Sequence, residues 1–332
     1  MRLIRTTIVA LALVVAAGCG GGGSDGSTPS GPNETTQVTA IAEGEGDFAG
    51  LVDIGGGRQI YMECRGKGAP TVVLVSGLGN AADIWSVAPD TENERPTVFA
   101  EVATFTRVCA YDRPSTTTAT GPGRSTPVAQ PTSAKAAAAD LDAVLAASGE
   151  PGPYVLAGHS FGGSTIRLYA SAHPADVAGL VLVDALSEDL PNGLTPKQQA
   201  LFEEINTPPP GTDAEVLDEQ ATFRQLRESP PVPPVPVIVL TADRPQLTAE
   251  VLDSGQLPAG VDQEFADALW AAQLAAQEEL AKKFPAAEHI TNTSSTHYIQ
   301  LDNPQLVIDS IRQVVDTVRN DAEAVGVVEA VE

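Results

Sequence analysis

"VLAGHSFGGS", residues 155–164, sets Ser160 between Gly158 and Gly162. The same Gly-x-Ser-x-Gly spelling surrounds Ser24 in "GGSDG", residues 22–26. Context separates the two. Before Ser160 stands the apolar run Tyr154–Ala157, and after it comes a stretch with helical spacing, "FGGSTIRLYASAHP", stopping near Pro174. A sharp strand-to-helix turn forces its central residue into a strained backbone conformation and needs glycine beside it, where a Cβ would strike the neighbouring strand or helix. Such a turn lifts a serine hydroxyl to the carboxyl end of a sheet, where sites of open α/β sheets form. The helix start adds free N–H groups and a positive dipole end. Ser24 has neither a strand before it nor a helix after it.

The strand-then-helix rhythm extends in both directions from Ser160. "TVVLVSGLG" and "FTRVCAYDRP" are continuous apolar runs, as buried parallel strands are. "RQIYMECRG" alternates like an antiparallel edge strand. "PTSAKAAAADLDAVLAASGE" is helical and stops at Gly149 and Pro151. "VAGLVLVDAL" and "VPVIVLTAD" are strands, and "VDQEFADALWAAQLAAQEELAKKF" is a long amphipathic helix. "AAEHITNTSSTHYIQ" reads as the last strand with its loop, and "NPQLVIDSIRQVVDTVRN" as the closing helix. The alternation predicts an α/β domain over residues 46–320, a mostly parallel sheet with helices on both faces. Residues 187–234 are too long for an ordinary connection and are expected to form a helical lid insertion. Residues 114–132 read as a polar loop, and 321–332 as a frayed acidic tail.

Residues 1–18 have Arg2 and Arg5, an apolar run from Ile8 to Ala17, then Gly18 before Cys19. That is the layout of a secretory signal, and the run is well short of the roughly 20 residues of a membrane span. "AAGC" resembles a bacterial lipobox, which implies cleavage before Cys19, lipidation of its thiol, and export to the outer face of the cell membrane or envelope. Residues 19–45 then read as a flexible Gly/Ser-rich tether. A plain signal peptide is the alternative. Cys64 and Cys109 are left over, either as a disulfide in an oxidising compartment or as two buried thiols. With 43 acidic against 19 basic residues the formal charge is −24, which disfavours nucleic acid and anionic partners. Four histidines without a Cys/His cluster argue against a structural zinc site.

"VVLVSGLGN", "VCAYDRP", "GHSFGG", "LVLVDA" and "THYIQLDNP", in this order, resemble the α/β-hydrolase superfamily over nearly all of residues 50–320. The resemblance implies a serine nucleophile at Ser160 and oxyanion donors at the amides of Phe161 and Leu78. Ser76-Gly77 stands where many relatives have His-Gly, so that histidine's anchoring contact is missing. The resemblance implies His297 as the base, in the loop before the closing helix. His159 is expected to point away from the serine, and His173 and His289 to be structural. The family's chain order is Ser, acid, His, and two aspartates qualify. Asp184 ends "LVLVD", and Asp243 ends "VIVLTAD". Most relatives take the acid from a turn after the later strand, where this chain has Pro245. Asp184 matches the minority placement without a shift and is preferred, with Asp243 as the alternative. The superfamily topology also sets the strands of Cys64 and Cys109 side by side, which favours a bridge.

The resulting expectation is a serine hydrolase of small carboxylic esters with a Ser-His-Asp triad, needing no cofactor or metal. An acyltransferase or cofactor-free perhydrolase with the same triad, and a non-catalytic envelope lipoprotein using the fold for binding, are the alternatives.

Overall fold

A computed structural model describes residues 46–87, 96–209 and 211–329. Ten strands occur among them: β1 (Phe48–Gly55), β2 (Arg58–Arg65), β3 (Val72–Val75), β4 (Val108–Tyr111), β5 (Thr117–Thr118), β6 (Gly121–Pro122), β7 (Tyr154–His159), β8 (Val177–Val183), β9 (Val237–Leu240) and β10 (Glu288–Ile290). The helices are α1 (Val98–Val102), α2 (Ala134–Ser148), α3 (Phe161–Ala172), α4 (Pro196–Asn206), α5 (Glu219–Glu228), α6 (Ala249–Leu252), α7 (Gln263–Lys282), α8 (Ile299–Asp302) and α9 (Pro304–Glu329). The signal segment, the tether and Cys19 lie outside the described residues. The closing helix runs on through Glu329, past the expected start of a frayed tail.

Eight strands form one sheet in the order β1-β2-β4-β3-β7-β8-β9-β10. β1 and β2 pair antiparallel, as do β2 and β4, and the rest pair parallel. β3, β4, β7 and β9 are buried along their whole length, as continuous apolar strands covered on both faces must be. β2 alternates as expected but is not the edge, because β1 pairs outside it. The stretch "FAGLVDIG" alternates too irregularly to announce a strand, since its outer position leaves most residues only half covered.

One apolar layer packs α2 and α3 on the sheet, through residues such as Leu141, Leu145, Ile166 and Tyr169. The other packs α1 and α9 on the opposite face, through Phe99, Val102, Ile308, Ile311 and Val315. Gly149, left-handed at φ 72°, ends α2 where the sequence has its Gly and Pro.

The expected lid of 187–234 divides in two. α5 buries Ala221, Thr222, Phe223 and Leu226 against the α2–α3 layer, so it is the crossover helix that a parallel β8-to-β9 connection requires. α4 instead joins residues that follow β9. Leu201 clusters with Leu247, Val251, Phe265 and Ala266 of the α6–α7 region. Leu190 and Leu194 pack on Ala272 and Ala276 of α7. The cap is therefore assembled from both sides of β9, which a reading of contiguous sequence does not reveal.

The chain moves from β3 to β4 on one side of it and then to β7 on the other. The direction of strand addition reverses there, so the crevice beyond β3 and β7 is where an open α/β sheet accepts a ligand. The loop Ser76–Asn80 leaves β3 at this crevice, and Ser160 leaves β7.

Candidate active site

Ser160 sits between the end of β7 and the start of α3 at φ 51° and ψ −119°. A non-glycine residue here carries strain of about 1–3 kcal/mol that its surroundings must hold in place. They do so through the main chain. Ser160 N–H donates to Val183 O at 3.1 Å, while its carbonyl accepts from Leu186 N and from Gly163 N, each at 2.9 Å. A Cβ on Gly158 would lie 2.6 Å from Gly162 O, and one on Gly162 would run into the carbonyls that end β3. The glycines are thus required by the close approach of three backbones, as the spelling implied.

Asp184 follows β8 and is completely buried, again at a positive φ of 41°. Its Oδ2 lies 2.6 Å from Nδ1 of His297, and its Oδ1 accepts from Ala242 N at 3.0 Å. Gln273 of α7 donates a short hydrogen bond to the same Oδ2. With Nδ1 turned to Asp184, Nε2 of His297 is the ring atom left for a substrate or a serine. Neither that nitrogen nor Ser160 Oγ has a hydrogen-bond partner among the described residues, and such contacts often tighten only when substrate binds.

Asp243 does something else. Its two oxygens accept from Ser294 N at 2.9 Å and Ser295 N at 2.8 Å. It is a strand-end carboxylate that pins the loop carrying His297. Asp302 pins the same loop by accepting from the amide and the hydroxyl of Thr296, both at 2.7 Å. The structure therefore brings Asp184, and not Asp243, to the imidazole.

His159 is buried and points to the His297 loop rather than away into the scaffold. Its Nε2 lies 2.9 Å from the carbonyl of His297, and the two rings are 4.6 Å apart. A carbonyl only accepts, so Nε2 carries the hydrogen. Burial, and then the neighbouring His297, holds the His159 pKa well below the usual 6.5, so the ring stays a neutral post. His173 stacks on Tyr169 near Asp142, and His289 bonds to Thr241 just after β9; both stand apart from Ser160 in the chain and in their contacts.

The loop after β3 passes over the elbow: a Cβ on Gly77 would come 2.7 Å from His159 Nδ1 and 3.2 Å from Ser160 Cβ. Within the described residues the Leu78 amide donates to no protein group, and Phe161 opens α3, where amides have no partner inside the helix. Both N–H groups are thus without a protein acceptor among the described residues. Arg113, from "YDRP", donates to the carbonyls of Ser76 and Gly77, each at 2.6 Å.

Cys64 and Cys109 face one another across β2 and β4 with Cα atoms 4.1 Å apart and are joined as a disulfide. Among the described residues, the one group with donor atoms close enough for a metal is Cys64, Cys109 and Glu150, and its sulfurs are used by that bridge.

Three side chains escaped the sequence reading: Arg113, Glu215 and Gln273. Arg113 lies inside a quoted motif, so its position was legible, although its bonds were not. Gln273 and Glu215 carry no local signal; a glutamine on an amphipathic helix and an acid in a long insert look like solvated surface.

Comparison with known proteins agrees with the fold. The model of the Alpha/beta hydrolase family matches residues 72–323. A segment of 189 residues is 35% identical to part of the polyketide synthase ThaQ of Burkholderia thailandensis, covering 55% of this chain and 8% of that protein. Another of 145 residues is 30% identical to an uncharacterised protein of Schizosaccharomyces pombe, covering 38% of this chain and 26% of that one. The chain therefore spans about a quarter or less of the length of these curated relatives. Among solved structures, a thermophilic esterase from Thermogutta terrifontis superposes with a TM-score of 0.54 at 17% identity, over 82% of this chain and 99% of that one.

Proposed function

Since the chain belongs to the alpha/beta hydrolase family, we propose that it is a serine hydrolase that cleaves carboxylic esters through an acyl-enzyme. The observation that carries this reading is the buried Asp184 bonded at 2.6 Å to His297 Nδ1, with Ser160 held in strain at the turn beside them. Asp184 keeps the imidazole in the tautomer whose Nε2 can accept a proton, and stabilises the ring once it is charged. Ser160 Oγ attacks the ester carbonyl carbon as its proton passes to Nε2. The carbonyl oxygen gains the negative charge, and the amides of Leu78 and Phe161 stabilise it there. Collapse of the tetrahedral species breaks the bond to the alkoxide, which leaves as the alcohol with the proton from His297. Water, deprotonated by the same ring, then releases the acyl group as the acid.

Labelling by a fluorophosphonate tests this directly. The wild type should be labelled and Ser160→Ala should not; equal labelling of the two, or none of the wild type, sinks the reading. Esters of graded chain length would then define the acyl preference. The "AAGC" segment supports a second part of the proposal, export with a lipid anchor on Cys19 that tethers the domain to a membrane. Cys19→Ala should move the protein from the membrane to the soluble fraction.

A further inference from the structure

The cap insert reaches the loop after β3 through a buried ion pair. Arg113 and Glu215 have side chains only 2% and 1% exposed. Arg113 Nε donates to Glu215 Oε1 at 2.7 Å and Nη2 to Oε2 at 2.9 Å. Two further guanidinium hydrogens go to the carbonyls of Ser76 and Gly77. Glu215 Oε2 also accepts from Gly79 N at 2.7 Å. The guanidinium carbon lies 5.1 Å from the ring centroid of Phe161, so the same cation touches the carbonyl of the Gly77–Leu78 peptide and the ring of Phe161.

A pair buried for stability alone is a poor device, because desolvating both ions offsets most of their attraction. Here the bonds left over after pairing all go to one loop. The Gly77–Leu78 peptide is planar and trans, so its N–H points opposite to its C=O. Fixing that C=O on Arg113 fixes the Leu78 N–H on the other side of the loop. Glu215 takes up the next amide, Gly79, while the Leu78 N–H keeps no protein acceptor among the described residues. The Glu215 backbone is itself anchored, since its N–H donates to Ser115 O at 2.7 Å.

We propose that Arg113 and Glu215 are positioning residues that aim the Leu78 N–H at the developing oxyanion, so that the seating of the insert between β8 and β9 controls oxyanion stabilisation. The proposal rests on the serine-hydrolase reading above and assigns its oxyanion donor's loop a support, Glu215, that lies 136 residues beyond Gly79 in the chain.

The test is Glu215→Gln, which keeps shape but loses the charge and one of the two accepting oxygens, so that its NH₂ meets either Arg113 Nε or the Nη2 and Gly79 N–H donors, with Arg113→Lys as the second variant, whose single ammonium cannot span two carbonyls and a carboxylate. Rates are taken per folded molecule, with the folded fraction measured by circular dichroism. The expected result is a fall in kcat of roughly 10- to 100-fold for a p-nitrophenyl ester, less than the 10²–10³ lost with a whole donor. KM should stay within about threefold, because substrate and transition state differ chiefly at the carbonyl oxygen. Binding of a boronic acid that forms a tetrahedral adduct on Ser160 should weaken by the same factor as kcat. Variants that lose stability but keep wild-type kcat and boronate affinity per folded molecule would overturn the positioning role and leave the hydrolase reading intact. Wild-type protein that neither turns over esters nor is labelled would overturn that reading and this role with it.

Discussion

Replacing Asp184 by Asn should abolish nearly all turnover while leaving the fold in place. The carboxylate accepts from three donors: Ala242 N on Oδ1, and Gln273 Nε2 and His297 Nδ1 on Oδ2. An asparagine has one accepting atom and one donating atom. If its oxygen stays on Ala242 N, its NH₂ faces the Gln273 NH₂ and His297 Nδ1. The imidazole must then accept at Nδ1 and carry its hydrogen on Nε2, the tautomer that cannot take a proton from Ser160. If the amide turns over, the Ala242 N–H is left buried without an acceptor, at about 1–3 kcal/mol. Loss of the correct tautomer in a Ser-His-Asp site lowers kcat about 10⁴-fold, or about 5 kcal/mol of barrier. Asp243→Asn should cost far less in turnover, roughly three- to tenfold, since an asparagine oxygen still accepts one of the two loop amides and the lost bond, worth about 1.5–3 kcal/mol, falls chiefly on stability. Initial rates on a p-nitrophenyl ester, with folded fractions from circular dichroism, decide the matter. Retention of more than a tenth of kcat in Asp184→Asn, with a collapse in Asp243→Asn, would refute the assignment of the acid.

Other perturbations test the surroundings. Gln273→Leu removes one donor from a buried carboxylate, a bond worth about 1.5–3 kcal/mol, so melting temperature and kcat should both fall, kcat by roughly tenfold or less; no change in either would mean that α7 does not support the site. Replacing Cys64 and Cys109 together by Ala opens a link between residues 45 apart in sequence, and chain entropy sets its worth at about 4 kcal/mol. Urea midpoints should drop accordingly, and reductant should affect the wild type only. Glu219 is partly buried, and burial, followed by the nearby Glu203, pushes its carboxyl up to about 8. Between the ordinary carboxyl value of 4.5 and about 8 the folded chain therefore holds a proton that the unfolded chain has released, and stability declines as pH rises through that window. Glu219→Gln should match the wild type at pH 4 and exceed its melting temperature at pH 8.5, as read by thermal denaturation; parallel curves would show that Glu219 titrates normally.

Much of this molecule was legible because its strongest signals are local. Buried parallel strands must be continuously apolar, so β3, β4, β7, β8 and β9 announce themselves in "VVLV", "VCAY", "YVLAGH", "VAGLVLV" and "VIVL". The turn at Ser160 announces itself because backbone approach excludes side chains at its glycines. β1 did not, since an outer strand is covered on too little of its surface to impose a pattern. α5 looked like part of a lid because nothing in a ten-residue amphipathic helix says which surface its apolar stripe will meet.

The site divides along the same line. Sequence by itself determined the chemical types and their chain order: a serine in an elbow, a histidine before the last helix, and aspartates at the ends of two strands. Tertiary structure alone decided which aspartate meets the histidine, that His159 braces the loop rather than the scaffold, and that Arg113 and Glu215 pair and bond to the loop after β3. The reason is physical. A residue's backbone conformation is set by neighbours within a few positions, and these leave their mark in the sequence. A hydrogen bond is set by angstroms between groups 102 or 113 residues apart, and no local pattern encodes that distance.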